Sequence, residues 1–244
     1  MNNAACDVLI PVGHEHMGAY FSRPGRVPIG GVVLIQEIFG VTPAMRAIAD
    51  DLSMQGYAVA VPDIYWRLQR GLDLGNGESP VQRQLAVEYA GRFDECVGTS
   101  DIVAAVDWLN TTLASNHRPS VFGFCLGGRM AVRVAATTEL TGMVSMYGVG
   151  LEKMEPEITG IKCPVQFHFG EDDNHNPMST ISSVAAIVDR RRRPGDEFFT
   201  YPSAQHAFYN RFRSDRFNPE AHKLAQERVL HFLAKRFSAR TSNS

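Results

Sequence analysis

The stretch Ser120-Val121-Phe122-Gly123-Phe124-Cys125-Leu126-Gly127-Gly128-Arg129-Met130 limits what this chain can fold into more than any other. A β-branched and aromatic run breaks at glycines and continues into a helix-compatible segment, which predicts strand, sharp turn and helix. Gly123 and Gly127 flank the turn. Without Cβ atoms they let strand and helix approach closely, which forces the residue between them into a strained, exposed position. The pattern Gly-x-nucleophile-x-Gly is thus present with cysteine at its centre, and Cys125 is the first candidate catalytic residue.

The flanking sequence fits a sheet built around that turn. Asp7 to Val12 and Met17 to Phe21 alternate apolar and polar residues about Gly13-His14-Glu15-His16, which predicts an edge hairpin. His14 and His16 suggest a metal, but no third ligand lies near them, so a solvated turn is preferred. Gly30 to Gln36 is a continuous apolar run, expected of a strand covered on both faces. Thr42 and Pro43 then open a helix through about Gln55, with Thr42 as N-cap. Gly56 to Pro62 reads as a further strand, followed by a polar loop over 63–80 whose length suggests a functional role. Helices are expected over Gln82–Phe93, amphipathic in outline, and over Gly98–Leu113, with Trp108 in the core. Strands are expected over Thr141–Tyr147, Cys163–Gly170 and Glu197–Tyr201, and a closing helix over Pro219–Phe237. Arg190 to Arg193 read as a solvated helix terminus.

Strands alternating with helices predict an α/β fold with a mainly parallel central sheet and helices on both faces, and the Gly-x-Cys-x-Gly turn resembles the nucleophile elbow of the α/β-hydrolase fold. One domain over residues 1–237 is expected, with 238–244 a frayed tail. A net charge of -2 gives no electrostatic case for nucleic acid. No apolar stretch approaches a membrane span, and the four cysteines show no CxxC spacing, so a cytoplasmic protein with reduced thiols is expected.

Chemistry follows from order. In this architecture nucleophile, acid and base come in that chain order, each at the carboxyl end of a strand, and Cys125, Asp173 and His206 satisfy that order. Cysteine attacks as thiolate; His206 would take its proton and return it to the leaving group, while Asp173 fixes the imidazole tautomer. Asp172 and Glu171 compete for the acid role. The backbone N–H groups of Leu126 and Ile38 are the expected oxyanion donors. Glu37 stands at a strand end, where ligands of open α/β sheets bind.

Taken together, Gln36-Glu37-Ile38-Phe39-Gly40, the Gly123–Gly128 elbow, Tyr147 to Lys153, Asp173 and His206-Ala207-Phe208 resemble the dienelactone hydrolase (carboxymethylenebutenolidase) family. The resemblance runs from Gly30 through the closing helix. It implies that Glu37 takes part in activating the cysteine when substrate arrives, and that Arg83 holds a substrate carboxylate. It also implies a second arginine just after the histidine, where this chain has Asn210 followed by Arg211; Arg211 or Arg67 would have to replace it. Tyr147 is implied as a substrate contact. The expected activity is hydrolysis of a carboxylate-bearing lactone or activated ester arising in aromatic-compound breakdown. A broad carboxylesterase or thioesterase is the alternative, ahead of a non-catalytic redox-responsive or ligand-binding protein. No metal or organic cofactor is called for, the partner is the small-molecule substrate, and a monomer or small homo-oligomer is expected.

Overall fold

The computed structural model describes residues 4–114 and 117–238. The chain forms two compact units, Met1–Val121 and Phe122–Ser244.

In the first unit, β1 (Ala4–Val12) and β2 (Glu15–Arg23) form the expected antiparallel hairpin, with Asp7 opposite Tyr20. Met17, Ala19 and Phe21 are buried on alternate positions of β2. β2 pairs antiparallel with β4 (Tyr57–Pro62), which runs parallel to β3 (Gly30–Ile35), giving the order β1-β2-β4-β3. Every residue of β3 and β4 is buried, as their unbroken apolar runs require.

Three helices complete this unit. α1 (Pro43–Met54) starts where expected, but the Thr42 side chain makes no capping bond. Its backbone N–H instead bonds Gly40 O at 2.9 Å, and proline at the first helical position removes one of the donors a cap would serve. α2 (Pro80–Arg92) corrects the amphipathic reading, since Ala86 is its only buried residue among those described. It is held by its ends: Ser79 and Gln82 form a reciprocal capping box, and Phe93 packs on Tyr65 at 5.6 Å. α3 (Glu95–Leu113) begins three residues early, capped by Asp94, and lays Leu109 and Leu113 where a Cβ on Gly31 would fall. Trp108 is only partly buried, edge-on to Phe21.

The second unit carries the order β5-β6-β7-β8, with β5 (Ser120–Phe124), β6 (Met143–Met146), β7 (Val165–Gly170) and β8 (Glu197–Tyr201); β6, β7 and β8 are mutually parallel. Between them lie α4 (Leu126–Thr137), a 3-10 turn at Leu151–Lys153 and α5 (Glu155–Gly160), neither of the last two foreseen, then α6 (Met178–Arg191). α7 (Pro219–Ser238) closes the unit; Ser238 belongs to it, and the rest of the expected tail, 239–244, lies outside the described residues.

Arg190, Arg192 and Arg193 are exposed at the end of α6, as expected of a solvated terminus, but the Arg191 side chain is not. Arg191 is buried, paired with Asp196 at 2.7 Å and donating to the carbonyls of Ile158, Ile161 and Cys163. Arg190 pairs with Glu155. A planar guanidinium with five donors suits such a cluster of acceptors better than water does once Asp196 lies opposite it.

Candidate active site

Cys125 joins β5 to α4 with φ 54° and ψ -115°, a conformation that costs a non-glycine residue about 1–3 kcal/mol. The crossing of strand and helix imposes it. A Cβ on Gly123 would lie 1.9 Å from Gly127 O, and one on Gly128 would lie 2.9 Å from Gly148 Cα. The turn is tied down by Cys125 N–H donating to Met146 O at 3.0 Å and by Arg129 N–H donating to Cys125 O at 3.2 Å. The thiol is half-buried. Leu126 is the first helical residue, so its N–H has no acceptor within the helix and sits at the positive end of the α4 dipole.

The loops after β7 and β8 are zipped together by backbone. Glu171 N–H donates to Tyr201 O at 3.0 Å and Asp172 N–H to Ala204 O at 2.9 Å. Gly170 makes this possible, because a Cβ there would stand 2.2 Å from Ala204 O. The result aims one acid of three. Glu171 accepts from Thr200 Oγ1 and Asp172 points to solvent, whereas buried Asp173 Oδ2 lies 2.7 Å from His206 Nδ1. Asp173 Oδ1 accepts the N–H groups of His175 at 2.7 Å and Asn176 at 3.2 Å, and Oδ2 also accepts Asn176 Nδ2 at 3.0 Å. Burial opposes the charge on Asp173, but the His206 contact and these donors outweigh it and hold the carboxyl below its usual range.

His206 is 8% exposed. Its ring lies 4.9 Å from that of Tyr147 and 4.6 Å from the edge-on ring of His175. A carboxylate only accepts, so Nδ1 carries the proton and Nε2 is left for Cys125, whose side chain His206 hydrogen-bonds. Burial alone would make this imidazole a poorer base. The Cys125 charge and the hydrogen bonds to Asp173 and Cys125 overcome that and raise its pKa to about 10.

Other expected site residues stand as follows. Glu37 is buried just after β3, in the first unit, its carbonyl accepting Gln36 Nε2; Ile38 beside it is half-buried. Arg83 is exposed on the first turn of α2, and its Nη1 donates to the carbonyls of Gly77 and Glu78 at 2.7 and 2.8 Å. Arg67 is committed to a bidentate pair with buried Asp101 at 2.8 and 2.9 Å and stacks on Trp66. Tyr147 is fully buried at φ 41° and lies beside His206. Asn210 is buried, its Oδ1 accepting Phe212 N–H at 3.0 Å, while Arg211 is exposed near the Phe212 ring. His14 and His16 are exposed on the hairpin, and no cluster of three metal-ligating side chains occurs among the described residues. Sequence reasoning missed Asn176 and set His175 aside as having a bland alternative; the spacing Asp-x-His-Asn after a strand end was the available signal, since Asp favours local turns that take the N–H two and three residues on.

Strand-end loops presenting a cysteine, a histidine and an aspartate on this scaffold define a hydrolase of the α/β type. Comparison with known proteins agrees: a Klebsiella pneumoniae crystal structure, described as a candidate dienelactone hydrolase, superposes with a TM-score of 0.84 at 26% identity, covering 96% of this chain and 99% of that one. The dienelactone hydrolase family profile matches residues 17–237, and the chain belongs to that family. Carboxymethylenebutenolidase of Pseudomonas putida is 35% identical over 91% of this chain and 92% of its own length. Carboxymethylenebutenolidase 1 of Cupriavidus pinatubonensis is 33% identical over 89% and 91%. The protein is a hydrolase of ester or lactone bonds. No helix among the described residues is long and apolar enough to cross a membrane.

Proposed function

We propose that Cys125, His206 and Asp173 form the catalytic triad and that hydrolysis passes through a covalent acyl-enzyme. The observation that carries this is His206 itself, bonded through Nδ1 to Asp173 at 2.7 Å, with the Cys125 side chain as its other hydrogen-bond partner. The thiolate attacks the substrate carbonyl, and the Leu126 and Ile38 N–H groups receive the oxyanion. Collapse expels the alkoxide or enolate, which takes the proton from His206. His206 then accepts a proton from water as that water attacks the thioester, releasing the carboxylic acid and restoring the thiol. Family likeness supports Glu37 as the group that helps activate the thiol, and residues 1–237, nearly all within the family match, as one functional domain. The protein is read as cytoplasmic, where its four free cysteines stay reduced.

The substrate we favour is a carboxylate-bearing lactone from aromatic-compound breakdown, by analogy with the butenolidase relatives and with Arg83 as the carboxylate partner. Two observations favour a second reading, a broader carboxylesterase or thioesterase: Asn210 is turned inward onto its own loop, and Arg67 is spent on Asp101. The test is a panel of dienelactones, neutral lactones and aryl esters run on wild type, Cys125→Ala and Arg83→Ala. Cys125→Ala abolishes hydrolysis of every member; full activity in that variant would sink the mechanism. Arg83→Ala selectively impairs carboxylated substrates, and equal impairment of neutral esters moves the assignment to the broader esterase.

A further inference from the structure

Asn176 follows the catalytic acid by three residues and is completely buried. Its Nδ2 faces two acceptors at once, Asp173 Oδ2 at 3.0 Å and the carbonyl of Tyr147 at 3.4 Å. Two acceptors fix which end of the amide is nitrogen, since turning it over would set oxygen against oxygen. Its Oδ1, by contrast, is buried with no hydrogen-bond partner among the described residues. A buried acceptor left unpaired is costly, and an apolar residue of similar volume would avoid it. What the amide offers at this position is the donor Nδ2.

The two acceptors belong to the two sides of His206. Asp173 holds the ring through Nδ1, while Tyr147, in a left-handed turn at the end of β6, packs its own ring 4.9 Å away. We propose that Asn176 is a positioning residue, whose side-chain amide locks the acid and the Tyr147 turn to each other and so fixes the imidazole that serves Cys125. The inference rests on the Cys-His-Asp reading above. The backbone N–H groups of His175 and Asn176 also serve Asp173, so loss of Nδ2 frees the carboxylate to turn without emptying it.

The test inverts the polarity of that amide. Asn176→Asp keeps the shape and sets a second carboxyl against Asp173, near His206, His175 and Arg216. Two carboxyls this close share a proton. While that proton is present its O–H stands where Nδ2–H stood; as pH rises and it leaves, two anions face each other and the acid swings away. Hydrolysis of an activated aryl ester by Asn176→Asp therefore approaches wild-type kcat at mildly acid pH and falls away on the alkaline side, through an ionisation absent from the wild type. Asn176→Ala loses about ten- to a hundredfold in kcat at every pH with KM little changed, as a misplacement of about 1 Å does. If Asn176→Ala does not accumulate as folded protein, Asn176→Asp carries the test alone, since its profile is read against itself across pH. A profile parallel to wild type, or an alanine variant with kcat within about twofold of wild type, overturns the proposal, because a merely structural amide lowers the melting temperature and leaves both unmoved. An active Cys125→Ala would instead overturn the underlying triad.

Discussion

The loop after β4 and the loop after β7 start from the same local device. Each places a buried aspartate at the strand end, Asp63 at 4% exposure and Asp173 at 2%, and each aspartate folds back on its own loop by accepting the N–H two residues on, from Tyr65 at 3.1 Å and from His175 at 2.7 Å. They part at the second oxygen. Asp63 Oδ2 accepts Gly71 N–H and staples its loop shut. Asp173 Oδ2 reaches an imidazole and a side-chain amide. Their proton affinities diverge accordingly. Burial dominates at Asp63 and raises its pKa despite the Gly71 and Tyr65 donors, whereas at Asp173 burial is outweighed by His206 and the carboxyl is pushed down. An aspartate in such a turn is a structural part by default, and a partner distant in sequence is what would recruit it to the proposed chemistry.

The largest expected break between the two is catalytic. Asp173→Asn removes the acceptor that fixes the His206 tautomer and should lower kcat by about 10³–10⁴-fold, the scale seen when a triad acid becomes an amide. Asp63→Asn should leave kcat largely intact and lower stability by about 1–3 kcal/mol, because one backbone N–H then faces an NH₂ instead of an oxygen. Steady-state kinetics and urea melts on both variants check this. A large kcat loss in Asp63→Asn would show that the β4 loop also serves the chemistry.

A smaller effect separates the glycines that shape the loops. Gly170→Ala places a methyl against Ala204 O, where no flexible side chain can yield, and must part the acid loop from the base loop. It should cost about 1–3 kcal/mol of stability and about ten- to a hundredfold in kcat as His206 loses register with Asp173. Gly71, next to the staple on Asp63, has open space around its missing Cβ but a φ of 65°. Gly71→Ala should therefore cost only the left-handed strain, about 1–2 kcal/mol, with kcat unmoved.

These contrasts also mark what could be read from the chain. The elbow was legible because its cause is local: Gly123 and Gly127 flank the turn, and a Cβ on Gly123 would meet Gly127 O; the close approach of Gly128 to Gly148 was not foreseen. The order of Cys125, Asp173 and His206 was legible because strand ends recur at predictable spacing along an α/β chain. Choosing Asp173 over Glu171 and Asp172 depended on resemblance, since three adjacent acids differ only in where the β7 turn aims them. The 63–80 loop was read as polar and, from its length, as functional, with no pairing foreseen. Its order comes from Asp101, about 35 residues on, which takes Trp66 Nε1 and the Arg67 fork, and no periodicity announces such a pairing. Arg191 was misread for the same reason in miniature: its charge suggests solvent until Asp196 and three carbonyls are seen to enclose it.

The finest contrast is the response of stability to pH. Asp173 has a depressed folded pKa, so its contribution is complete above the ordinary carboxylate value of about 3.9 and is lost as pH falls from there through the folded value. Asp63 has a raised folded pKa, so it favours the folded state most at acid pH, and that advantage is lost as pH rises from the same value through its folded one. In the wild type the two tilts have opposite sign and act on either side of that value. The variants separate them. Relative to wild type, the stability deficit of Asp173→Asn grows with rising pH across the acid range, and the deficit of Asp63→Asn shrinks over the range just above it. Urea midpoints for the three proteins measured across that interval read the sign directly. Deficits that run parallel would mean that both aspartates feel the same surroundings, and that His206 does not distinguish the acid loop from the staple.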